Sequence, residues 1–383
     1  MRGTIGGVNR IPRSFVAWFG TAVCSVLVAA SCGTSASSNA EASSDSSAGI
    51  ATTATVPTST TTTKVYASTA FDQTDALLAE RVKSAGLSGG IVRIGRADGS
   101  VIHEKSIGSV NGATPLSVAS STKWLTAATL MNFVDQGAIG LDENIDKWLP
   151  EFGNDSPPVT ARQLLSHTSG VRDNACQNGG SSLGACVKTI ANSARQFPAG
   201  SQFSYGNSDF LVVGRIIEVL GGADFATVVS QRLTGPLGMT ATTWPGSPSM
   251  ANSAFGVRVT VDDYSKFLQM ILNRGTLDGT RVLSEQAIDE LVSNQVAAYD
   301  TTRDFSVGIT KIPLYALGSW PDVVNEFGAT VVVSGNGGMG LYPWVDFATK
   351  TWGIVGVQDE RGAQLAVPAS QKVEVEAREA LRR

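Results

Sequence analysis

Histidine is almost missing from this sequence, which holds only His103 and His167 in 383 residues, and cysteine is scarce, with four. Neither His-Glu-x-x-His nor Cys-x-x-Cys occurs, so the spacings that build zinc sites are excluded, and no metal or other cofactor is implied. A Ser-His-Asp mechanism is poorly supplied for the same reason. Charge is sparse as well, at 16% of residues, and it leans acidic, with 33 Asp and Glu against 29 Lys and Arg. A nucleic-acid partner needs clustered positive charge and is disfavoured. Internal repeats are absent, which excludes solenoids and arrays.

Long apolar runs are also missing, save one near the N-terminus. Arg2, Arg10 and Arg13 precede an uncharged, mostly apolar run of 16 residues from Phe15 to Ala30, short for a membrane-spanning helix. Basic residues followed by such a run predict an export signal over residues 1–31. Val28-Ala29-Ala30-Ser31-Cys32 resembles a bacterial lipobox, in which Cys32 would be lipidated and hold the protein on the outer face of the cell membrane. An ordinary cleaved signal and an uncleaved anchor are the alternatives. Residues 33–63 then hold 17 Ser or Thr in 31 positions, too little apolar bulk to fold, so 32–68 is expected to be a tether. Loss of the signal would leave 26 basic against 33 acidic residues, a formal charge of about −7. Cys24 would leave with it, and Cys176 and Cys186 would remain, either bridged in an oxidising compartment or as two buried thiols.

The chemistry-bearing pieces stand in order along residues 69–383. Ser120-Ser121-Thr122-Lys123 lies where an irregular run gives way to Trp124, Leu125, Leu130, Met131, Phe133 and Val134 at helical spacing. Ser120 therefore opens a helix, among unpaired N–H groups that favour an alkoxide, and Lys123 follows one turn on as a candidate base. Tyr205 and Asn207 lie in an extended stretch before the next helix, where the phenol can relay a proton and the amide can hold a substrate or the lysine. Asn336, Gly338 and Met339 follow an apolar strand, and the N–H groups of Met339 and Ser120 are a candidate oxyanion hole. Taken singly, each piece has a plainer reading as a helix cap, an aromatic turn or a bulge. Their order and setting together favour one nucleophilic site. Two Gly-x-Ser-x-Gly matches compete, at Gly86 to Gly90 and Gly180 to Gly184. The first precedes a strand rather than following one, the second lies in a glycine-rich loop, and no histidine follows it.

Leu164-Leu165-Ser166-His167-Thr168-Ser169-Gly170, Phe197-Pro198-Ala199-Gly200 and Gly235-Pro236-Leu237-Gly238-Met239 join these motifs in resembling the serine β-lactamase-like family over roughly residues 70–360. That family includes class C β-lactamases, D-Ala-D-Ala carboxypeptidases and related esterases. The resemblance implies Ser120 as the acylated nucleophile, Lys123 and Tyr205 as the base pair and Asn207 as a positioning residue. His167 is read as structural, and His103 as a residue of a hairpin strand. Where the family usually carries Lys-Thr-Gly or His-x-Gly, this chain has Asn336-Gly337-Gly338, a neutral amide in place of a cation that holds a substrate carboxylate. Esters or neutral amides are therefore expected ahead of β-lactams and D-alanyl peptides, and a non-catalytic cell-envelope binding module is the reading from another class.

The predicted layout is α+β. A hairpin at 90–96 and 101–106 turns at Asp98-Gly99. Helices are expected at 121–136, 160–166, 208–220, 224–233, 261–273 and 284–293, strands at 305–311, 328–334, 340–346 and 351–357, and a closing helix from Pro368 to Arg382. Strands at both ends with helices between them imply one antiparallel sheet flanked by helices, beside a helical lobe. This matches the β-lactamase/transpeptidase-like fold that the resemblance implies, and it puts Ser120 at the seam of the two parts.

Overall fold

The first hairpin forms as Asp98-Gly99 dictates. β1 (Gly89–Arg96) and β2 (Val101–Gly108) pair antiparallel around a turn in which Gly99 takes φ +82°, in the left-handed region that glycine tolerates. In the computed structural model, which describes residues 64–155, 157–173, 176, 182–296, 314–357 and 363–383, this hairpin joins strands from the far end of the chain. These are β3 (Trp320–Val324), β4 (Thr330–Ser334), β5 (Leu341–Asp346) and β6 (Thr351–Val357). The spatial order is β2-β1-β6-β5-β4-β3 and every pairing is antiparallel, with Gly90 opposite Val357 where the two chain ends meet.

Alternation along the strands makes two cores. Val92, Ile94, Trp344, Val355 and Val357 point to one face, covered by α1 (Asp72–Ser84) and by Val373 and Ala377 of the closing helix. Ile91, Leu341, Val345, Trp352 and Ile354 point to the other and merge into the larger core of the helical lobe. That lobe contains α2 (Thr122–Asp135), α3 (Ala161–Leu165), α4 (Leu183–Ala191), α5 (Ser208–Gly221), α6 (Phe225–Val229), α7 (Val261–Leu272) and α8 (Glu285–Val292). The closing helix, α9, runs Ala363–Arg382, with Pro368 inside it. The architecture is the expected one, an antiparallel sheet flanked by helices with a helical lobe.

Several elements differ from expectation. α4 and β3 were not foreseen. α4 begins inside the Gly180–Gly184 stretch that reads as loop, because Ser182 caps it by accepting from Ala185 N–H and Leu183, Cys186, Val187 and Ile190 give it an apolar face. β3 escapes notice because Pro321 interrupts it and two register shifts break its pairing with β4. The helix expected over 224–233 is α6 followed by a π-helical stretch, Ser230–Thr234. The strand expected at 305–311 lies outside the described residues, as do the signal, Cys32 and the tether up to Thr63. From Lys64 the chain is already docked: Lys64 Nζ donates to Leu381 O at 3.0 Å and the Tyr66 hydroxyl to the same oxygen at 3.3 Å. These contacts fall within the stretch 32–68 that was expected to be a tether. Cys176 and Cys186 form a disulfide with their Cα atoms 5.5 Å apart.

Candidate active site

Ser120 does not start α2 itself. It occupies a 3-10 turn, Ala119–Ser121, that runs straight into the helix. Ala119 takes φ +47°, a strained value for a residue with a Cβ, and the Thr122 hydroxyl donates to its carbonyl at 2.6 Å. Three further elements hold the turn. The buried Tyr264 phenol of α7 donates to Ser121 O at 2.9 Å, the Ser121 hydroxyl donates to Gly335 O beyond β4, and Val118 N–H donates to Val257 O. The nucleophile is therefore placed by the whole seam between sheet and lobe.

Lys123 is completely buried. Its Nζ lies 3.4 Å from Ser120 Oγ, 2.9 Å from Asn207 Oδ1 and 3.2 Å from Ala254 O. Two of these three neighbours only accept hydrogen bonds, while the third, a hydroxyl, can also donate. An ammonium can donate to all three, and a neutral amine can donate to the amide and the carbonyl while turning its lone pair to Ser120. No carboxylate pairs with this nitrogen among the described residues. The Tyr205 ring lies beside it, with Nζ 4.9 Å from the ring centroid. Asn207 Oδ1 is committed to the lysine, so a role for that amide toward a ligand would fall to its Nδ2 group.

Tyr205 and Asn207 are clasped from behind by the segment His167–Asp173. Ser204 N–H donates to His167 O at 2.9 Å, and Asp173 Oδ1 accepts from the N–H groups of Asn207 at 2.7 Å and Ser208 at 3.1 Å. That carboxylate satisfies orphan donors at the start of α5. Asp209, also buried, accepts from the Ser169 hydroxyl and lies 2.9 Å from His167 Nδ1. The Leu164-to-Gly170 signature is thus the frame that orients the tyrosine and the asparagine.

Beyond β4 the strand end closes the other side. A Cβ on Gly337 would fall 1.8 Å from Val118 O, so only glycine lets the strand meet the nucleophile turn. Gly337 N–H donates to Leu341 O at 2.8 Å and Gly340 N–H to Gly337 O at 2.9 Å, which makes Gly338 and Met339 the tip of a tight turn. Neither Ser120 nor Met339 gives its N–H to a main-chain acceptor among the described residues, as oxyanion donors require. Asn336 lies beside Tyr342. Burial and the Asp322 and Glu374 carboxylates push that phenol well above its ordinary value, and a hydrogen bond with Asn336 acts the other way. The strand end therefore offers the cleft main-chain groups rather than an ionic side chain.

Residues 74–374 match a family model described as Beta-lactamase. The chain belongs to the β-lactamase family. Penicillin-binding protein 4 of Amycolatopsis lactamdurans is 28% identical over 248 residues, 53% of this chain and 65% of its own length. Esterase EstB of Burkholderia gladioli is 24% identical over 208 residues, 47% of this chain and 53% of its own. The chain thus spans just under two thirds of the first relative and about half of the second. A β-lactamase candidate from Bacteroides dorei DSM 17855 superposes with a TM-score of 0.73 at 27% identity, covering 82% of this chain and 99% of that one. β-Lactamase family members of this kind are serine hydrolases, penicillin-binding proteins and esterases among them.

The structure brings Ser120, Lys123, Tyr205 and Asn207 together, with Gly338 and Met339 on the facing turn. Ala254, Asp173, Ser121 and Tyr264 also belong to the site, although no sequence pattern announced them, because all four act on main-chain groups or through one. Tyr315 and Trp320 escaped notice as well. Their rings lie 5.9 Å and 5.4 Å from that of Tyr205 and build an aromatic wall with Phe203. His103 stands on the far face of the sheet, stacked on Phe71 and 2.7 Å from Asp75.

Proposed function

We propose that this protein is an exported, lipid-anchored serine hydrolase that forms an acyl-enzyme at Ser120 on ester or neutral amide substrates, esters first. The observation that carries the reading is the buried Lys123 amine, held between Ser120, Asn207 and Ala254 with no carboxylate partner among the described residues. Ser120 Oγ attacks the acyl carbon while its proton passes to Lys123 Nζ, and the oxyanion is met by the N–H groups of Ser120 and Met339. As the tetrahedral adduct collapses, the bond to the leaving group breaks and that oxygen or nitrogen takes a proton through the Tyr205 phenol, which is replenished from Lys123. Water then attacks the acyl-enzyme by the reverse sequence. It gives its proton to the same pair, and the acid leaves with Ser120 restored.

Ester preference follows from Asn336. A neutral amide beside Tyr342 supplies no charge for a substrate carboxylate. Intact-mass measurement after exposure to a fluorophosphonate tests the acyl-enzyme: one adduct at Ser120, absent in Ser120→Ala, is expected. An unmodified Ser120, with hydrolysis persisting in Ser120→Ala, would end the reading. Rates on short p-nitrophenyl esters, nitrocefin and an acyl-D-Ala-D-Ala peptide rank the substrates, and dominant turnover of either of the last two would make this a β-lactamase or a carboxypeptidase. Saturable binding of a wall polymer without acylation would favour a binding module. For the anchor, Cys32→Ala should release the protein from the membrane fraction.

A further inference from the structure

The acyl-transfer scheme gives His167 no task, yet its setting is unusually specified. The residue is buried and its backbone takes φ +58°, a region in which a residue with a Cβ is strained. Asp209 faces Nδ1 at 2.9 Å while also accepting from Ser169. An ionised carboxylate only accepts, so the imidazole proton belongs on Nδ1, and Nε2 is left as a bare acceptor. That Nε2 has no hydrogen-bond partner among the described residues. The ring is enclosed by those of Tyr205, Tyr315 and Phe210, whose centroids lie 4.7, 4.9 and 5.2 Å away. The Tyr205 ring therefore touches the imidazole and, at 4.9 Å, the Lys123 amine as well.

We propose that His167 is a positioning residue for the proposed proton transfer: as a neutral imidazole with its proton on Nδ1, it fixes the Tyr205 ring beside Lys123 and keeps a second cation away from that amine. The assignment rests on Tyr205 acting at Ser120 as set out above. Burial holds the imidazole below its ordinary value against the pull of Asp209. The charged or titratable groups around it are Asp209 of α5, Asp173 of the clasp, Lys123 of α2, and the Tyr205 and Tyr315 phenols. A packing role alone would not need an uncharged ring, since protonation would strengthen its bond to Asp209. The amine one ring away is what a charge at that point would disturb, by making its own protonation harder to achieve.

Nitrogen-15 NMR of histidine-labelled full-length protein, with His103→Gln to assign the two imidazoles, reads the tautomer directly. The expected result is a neutral Nδ1–H form of His167 at every pH where Ser120 is acylated. An Nε2–H form, or an imidazolium at the pH of fastest acylation, would overturn the proposal. In parallel, His167→Asn accepts the left-handed backbone and can still donate to Asp209. It should fold, lose about 10-fold or more in kcat with KM within about twofold, and show a shifted acid limb of kcat. A folded His167→Asn with the parent's kcat and pH profile would refute the role. Failure of the underlying reading looks different, because the parent itself then leaves Ser120 unlabelled while the tautomer still decides the state of His167.

Discussion

Gly337→Ala isolates how far the proposed chemistry depends on the seam between sheet and lobe. The added carbon would lie 1.8 Å from Val118 O and 2.8 Å from Ser121 Oγ. A carbon normally stays about 3.3 Å or more from a carbonyl oxygen, so strand and nucleophile turn must part by about 1.5 Å. Overpacking of this kind costs about 1–3 kcal/mol when the core can yield. Here it can yield only by stretching the hydrogen bond from the Ser121 hydroxyl to Gly335 O. The same shift moves Met339 N–H away from Ser120, and misplacement by about 1 Å costs on the order of 100-fold in rate. Urea denaturation should show the stability loss, and stopped-flow acylation with a p-nitrophenyl ester should show kcat/KM reduced about 100-fold in protein that is still folded. A folded Gly337→Ala variant with acylation within about threefold of the parent would refute the idea that this contact sets the oxyanion geometry.

Three further outcomes follow from the same geometry. Lys123→Met keeps the volume of the buried side chain but removes the base, so acylation of Ser120 should fall on the order of 10²–10⁴-fold while circular dichroism stays native; undiminished labelling would remove the lysine from the mechanism. Because folding depresses the His167 value below its ordinary 6.5, the unfolded chain takes up a proton that the folded chain refuses, and stability should fall as pH drops from about 6.5 towards the folded value, by at most about 1.4 kcal/mol per pH unit. Urea titrations across that range should show this slope in the parent and not in His167→Asn. Replacing Cys176 and Cys186 by serine should cost about 2–3 kcal/mol by releasing the short loop they close, read as a lower midpoint that reductant no longer changes.

The sheet was legible in the sequence wherever a strand alternates cleanly. Val92 and Ile94 fall on one face and Ile91 on the other, and Asp98-Gly99 marks the turn. It was illegible where function or edges bend the rules, as at Trp320–Val324, where a proline and a bulged register hide a strand that carries part of the aromatic wall. The site was legible as far as chemistry requires particular side chains. Ser120, Lys123, Tyr205 and Asn207 could be named because a nucleophile, a base and their partners are limited to a few residue types. Asp173 and Ala254 could not, since the first captures two backbone N–H groups and the second contributes only a carbonyl, and neither task leaves a mark on the order of residues. His167 was legible as part of a recurring signature but not in its tautomer, which is set by Asp209 forty-two residues on.

The contact without side chains between Gly337 and Val118 has a bearing on how selectivity could change. Nucleophile and anion-stabilising turn behave as a single casting, braced from below by Tyr264, and neither half can retreat to admit a bulkier acyl group. Among the described residues, room could be made across from them at Trp320, which lies against Tyr205 with the buried Tyr315 behind it. Because those rings also hold Tyr205, a change there would retune selectivity and proton transfer together.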